Sequence, residues 1–155
     1  MTDPLLTAIL GDGTRRMTLA FGPQNESMRE QLLKTKHLPP AVQAGLWLYH
    51  DFFEESHAIS QDLSTPEGSY WHAILHRREP DAFNAKYWFR SVGHHAIFEA
   101  LAAQAHEVDS TFSKTTWDPL RFVDLCEEFR GSSRAMEAKL EQVQLIEWRL
   151  LFEYR

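Results

Sequence analysis

Ser64-Thr65-Pro66-Glu67-Gly68-Ser69-Tyr70-Trp71-His72-Ala73-Ile74-Leu75-His76-Arg77-Arg78-Glu79-Pro80-Asp81-Ala82-Phe83-Asn84-Ala85-Lys86-Tyr87-Trp88-Phe89-Arg90-Ser91-Val92-Gly93 carries the punctuation that decides the fold class. Ser64 and Glu67 stand in capping-box spacing, and Pro66 falls in a first helical turn, where its missing N–H is no loss. A helix is therefore expected to run to about Arg78 and to stop at Pro80. Pro80-Asp81 opens another, carrying Phe83, Tyr87, Trp88 and Val92 until Gly93 closes it.

The same grammar extends in both directions. Upstream, one helix is expected from about Pro40 to Leu63: at 100° per residue, Leu46, Tyr49 and Phe53 fall within roughly 40° of Val42, a core-facing stripe. Downstream, His94 to about Glu107 reads as an Ala-rich helix, and Asp118-Pro119 starts one that Gly131 ends. The last helix begins at Ser132 or Ser133 and reaches about Tyr154, with Met136, Leu140, Val143, Ile146 and Leu150 on one side. Residues 1–24 form an arm in which Gly11-Asp12-Gly13 suggests a short hairpin or an irregular path. The expected fold is mainly α: a compact, bundle-like domain over residues 25–155 preceded by that arm.

Composition narrows the class further. In 155 residues, 43% are hydrophobic and 25% charged, with seven Gly, seven Pro and one Cys. That excludes fibrous, disordered and disulfide-stapled chains. The apolar runs are short, and no basic and apolar leader opens the chain, so the expectation is a cytoplasmic protein without a membrane partner. A net charge of −6 argues against a nucleic-acid partner. No Gly-x-Ser-x-Gly, Walker-type loop or dinucleotide fingerprint is present. Cys126, on the apolar side of a helix, reads as a small inert hydrophobe.

Chemistry concentrates in the middle, since six of eight His and three of five Trp lie between Trp47 and His95. On a continuous helix from Pro40 to Leu63, His50, Glu54 and His57 share one strip beside the core face. His72 and His76, four apart, share another. Imidazole and carboxylate on successive turns can converge on one cation. The expected metal set is thus His50, Glu54, His57, His72 and His76, holding zinc, iron or manganese, with Glu54 as general base of a hydrolytic reaction. The alternative is a polar strip in which these groups hydrogen-bond one another.

Arg77, Arg78, Lys86 and Arg90, together with Trp71 and Tyr87, suggest a site for a small anionic molecule. They also support a different reading, a non-enzymatic module for an acidic ligand. Arginine near a helix C-terminus, paired with Glu79 or Asp81, explains the same residues without a ligand. A third reading is structural, with Tyr87, Trp88 and the last helix packing against a second copy as a homodimer.

The stretch from Gly68-Ser69-Tyr70-Trp71-His72 through His76-Arg77-Arg78-Glu79-Pro80-Asp81 to Asn84-Ala85-Lys86-Tyr87-Trp88-Phe89-Arg90 resembles a family of uncharacterised bacterial proteins sharing that core. The resemblance covers about Ala44 to Phe98, roughly a third of the chain. It implies no activity and assigns no role to any residue.

Overall fold

The structure, a computed structural model, describes residues 3–154. Nine α-helices, two 3-10 turns and no strand make up the regular structure of those residues. They are α1 (Pro4–Leu10), α2 (Arg29–Leu33), α3 (Pro40–Tyr49), α4 (Phe53–Ser60), α5 (Pro66–Arg78), α6 (Ala82–Val92), α7 (Phe98–Val108), α8 (Pro119–Phe129) and α9 (Arg134–Glu153). The expected caps largely hold. Asp81, Asp118 and Ser133 each accept a backbone N–H from the first turn of α6, α8 and α9, and Gly93 closes α6 in the left-handed region at φ 66°. At α5 the cap is Thr65 rather than Ser64: its hydroxyl accepts from Gly68 N at 3.1 Å.

Two expectations are overturned. The arm forms no hairpin; it is helix α1 followed by an irregular segment, and Ile9, Met17 and Leu19 are buried in the common core. The helix expected across Pro40–Leu63 breaks at His50–Phe52. Asp51 takes φ 69°, while Phe52 N–H reaches Trp47 O (3.0 Å) and Asp51 N–H reaches Leu48 O (3.1 Å), the paired bonds of a Schellman ending. Asp is one of the few side chains that tolerates this conformation. Here its carboxylate is also held from three sides, by Arg78 Nη2 (2.8 Å), Arg15 Nη2 (3.0 Å) and Gly22 N–H (3.2 Å). These contacts tie the arm to the helices and fix the break.

Helix α5 is the centre of the molecule. Every residue from Tyr70 to Arg78 is buried, so the helix has no solvent face of its own there, the mark of a core helix. It packs against α3, α4 and α6. Close approach to α3 needs Gly45, because a Cβ there would lie 2.8 Å from Trp71 Cζ2. Several of its polar side chains are paired with the helices and segments around it. Arg77 donates to Glu147 Oε1 (2.6 Å) and Gln144 Oε1 (3.1 Å), and Tyr70 OH donates to Glu147 Oε2 (2.9 Å), joining α5 to α9. A charge at this depth persists only when paired and hydrogen-bonded.

Candidate metal centre

Two helices supply the centre. On α5, His72 and His76 are one turn apart and face α4, where His57 projects back. The ring centroids are 4.8 Å apart for His57 and His72, 5.4 Å for His57 and His76, and 4.8 Å for His72 and His76. One ligand nitrogen from each lies within 4.8 Å of the others. His72 and His76 are buried and His57 is half-buried.

Aromatic rings hold the imidazoles in place. Trp88 of α6 stacks on His72 with centroids 4.0 Å apart, and Phe53 stacks on His57 at 5.6 Å. Glu79 Oε1 accepts from His76 Nδ1 at 2.7 Å, which fixes the ring's orientation and leaves Nε2 as the nitrogen available to a ligand. Among the described residues this is the one hydrogen bond made by any of the three rings. His72 Nδ1 is buried with no partner at all. Burial, reinforced by His76 and then His57 nearby, pushes the His72 pKa down to about 4, so its ring is neutral at physiological pH with a lone pair to give. Three imidazoles with almost no internal hydrogen-bond partners form a donor set suited to a borderline cation. Three nitrogens placed tetrahedrally at zinc distance lie about 3.4 Å apart, so the rings need close by only about an ångström or two.

Asp81 lies near His76 and Glu79 as well. Its two oxygens are engaged at the start of α6, by Asn84 N and Asn84 Nδ2, both at 3.1 Å.

The structure does not bring the other expected residues to this point. His50 caps the end of α3 at the break, where Nε2 is bonded to Ile9 O at 2.7 Å and Nδ1 to Asn25 Nδ2 at 3.1 Å. Burial lowers its pKa too, but both nitrogens are occupied. Glu54 is exposed, and its carboxylate is not among the converging groups. The cation cluster is dispersed. Arg77 turns to Glu147, and Arg78 turns to Asp51 and the carbonyls of Thr18 and Leu48. Lys86 pairs with Asp124 at 2.6 Å, while Arg90 is exposed. Trp71 is a core residue against Trp148, and Tyr87 is an exposed ring edge-on to Trp88. Two buried, ion-paired guanidiniums cannot also receive a small anion, so the expected pocket is absent at these residues.

Sequence reasoning paired Glu79 with Arg77 or Arg78 and so missed its contact with His76. The signal was the three-residue spacing His76-x-x-Glu79, which places both on one face at the end of a helix. Phe53 was read only as a core residue. No helix among the described residues is long and apolar enough to cross a membrane. Cys126 is buried, and burial raises its thiol to about 11, the state of an unreactive side chain. No family model, curated protein or solved structure matches the chain.

Proposed function

We propose that the protein is a divalent-metal-dependent enzyme of the hydrolytic type, with zinc, iron or manganese held by His57, His72 and His76. The observation that supports this best is the convergence of three imidazoles whose nitrogens are almost entirely uncommitted, one of them buried, neutral and without a partner. Three protein ligands leave a coordination position open, the arrangement of catalytic rather than structural zinc. Such a centre activates water near neutral pH and polarises a substrate carbonyl. Glu79 behind His76 is the carboxylate that commonly backs a metal-ligating imidazole. His50 and Glu54 stand outside this set, and with Arg77 and Arg78 in internal ion pairs the reading no longer calls for an anionic substrate.

The test is direct. Elemental analysis of the purified chain should find transition metal, or the metal-free protein should bind zinc, cobalt, iron or manganese stoichiometrically. At a hundredfold excess over Kd, binding stabilises the fold by about 2.7 kcal/mol, a rise in melting temperature of about 5–10 °C. His72→Ala and His76→Ala should each abolish the rise. Absence of any metal-dependent shift, or a shift that survives both substitutions, overturns the proposal.

A further inference from the structure

A cleft of about 420 Å³ is lined by the loop between α4 and α5, the first turn of α5 and the last turns of α6; the three imidazoles do not line it, but Trp88, which stacks on His72, does. Its position relative to the rings follows from helix geometry. On α5, Ser69 precedes His72 by three residues and shares its face; Gln61, the cap that ends α4, follows His57 by four; on α6, Ser91 follows Trp88 by three. At 1.5 Å per residue these are steps of about 4.5–6 Å. The imidazole layer and the cleft are therefore successive layers of one three-helix seam, and Trp88 belongs to both: it stacks on His72 and lines the cleft.

The lining has a definite chemistry. Gln61, Asp62, Ser64 and Ser69 line it, and none of their side chains is hydrogen-bonded within the described residues; Thr65 also lines it, its hydroxyl accepting from Gly68 N–H. No Lys or Arg lines it, and its one charged group is the Asp62 carboxylate. An anion would meet a like charge with no compensating cation. A neutral molecule bearing several hydroxyls would meet acceptors and donors suited to it, with the indole ring to cover its C–H face. The volume falls within the range of small-molecule sites.

We infer that this cleft is the substrate pocket of the proposed centre and that it takes a small, uncharged, polyhydroxylated molecule of the sugar or polyol class. The inference rests on the metal-centre reading for its chemistry, but occupancy of the cleft is measurable without metal.

The experiment follows the five indole N–H signals of the full-length protein by NMR, with Trp88 assigned through Trp88→Phe. Glucose, xylitol and inorganic phosphate are titrated separately into metal-free and zinc-loaded protein. Glucose or xylitol should shift the Trp88 signal saturably with a Kd of about 1–10 mM, and phosphate should not. Ser69→Leu, which fills the cleft from a half-buried position, should weaken the polyol at least tenfold. No saturable shift of Trp88 with either polyol, or an equal or larger response to phosphate, overturns the inference even if zinc binds. Polyol binding without zinc binding would instead uphold the cleft and sink the metal reading.

Discussion

Removing one partner of the Arg77–Glu147 pair should cost far more than removing both. Glu147 is fully buried, and its carboxylate receives only Arg77 and the Tyr70 hydroxyl among the contacts described. Arg77→Met leaves that charge in the core with a single hydrogen bond, and Glu147→Leu strands a buried guanidinium that otherwise keeps only the Gln144 hydrogen bond and the faces of Phe122 and Phe89. Each single substitution is expected to destabilise the fold by about 3–5 kcal/mol. The double substitution removes both charges and leaves mainly the Tyr70 hydroxyl without its acceptor, which costs about 1–3 kcal/mol. The sign of the coupling is thus fixed by burial: the double variant should be more stable than either single one. Urea unfolding at constant m-value reads all four stabilities. Costs that add to within about 0.5 kcal/mol, or a cost below about 1 kcal/mol for Arg77→Met, would refute the reasoning. The second result would mean that Arg77 is solvated and free to take an anion, as its sequence position suggested.

Two other outcomes follow from the centre. Glu79→Gln should lower zinc affinity by about 10–100-fold with little change in metal-free stability, since the carboxylate is partly exposed and acts through His76; competition with a chromophoric chelator measures it, and an unchanged Kd removes Glu79 from the site. Metal-free stability should fall with pH through the interval from about 6.5 to about 4. His72 is buried and its pKa is depressed from the ordinary 6.5 to about 4, so over that interval the unfolded chain binds the proton and the folded one does not. The stability present above pH 6.5 is lost as pH falls, by about 3 kcal/mol at the lower end, with His50 contributing in the same direction. A flat profile in chemical denaturation between those limits contradicts a neutral, buried His72.

Much of the secondary structure was legible because its signals act within a turn. Asp81, Asp118 and Ser133 cap the helices their positions announce, since a cap needs only a side chain within reach of the first N–H groups. His72 and His76 were legible as a pair for the same reason. The break at Asp51 was not, although Asp can adopt the left-handed region. What holds it there are Arg15, Gly22 and Arg78, residues 36, 29 and 27 positions away. Once the helix breaks, the strip that seemed to unite His50 with Glu54 and His57 ceases to exist.

The sequence by itself therefore determined a mainly helical chain, the ends of several of its helices, and which short stretch holds the imidazoles. Only the tertiary structure decided which imidazoles meet, that Arg77 and Arg78 are internal rather than ligand-facing, and that Trp88, stacked on His72, also lines a cleft without Lys or Arg. Helix formation and capping are governed by neighbours a few residues apart. The partners of a buried charge, as Glu147 is to Arg77 and Asp51 to Arg78, lie tens of residues away, chosen by how whole helices pack and by the high cost of leaving any such charge alone in the core.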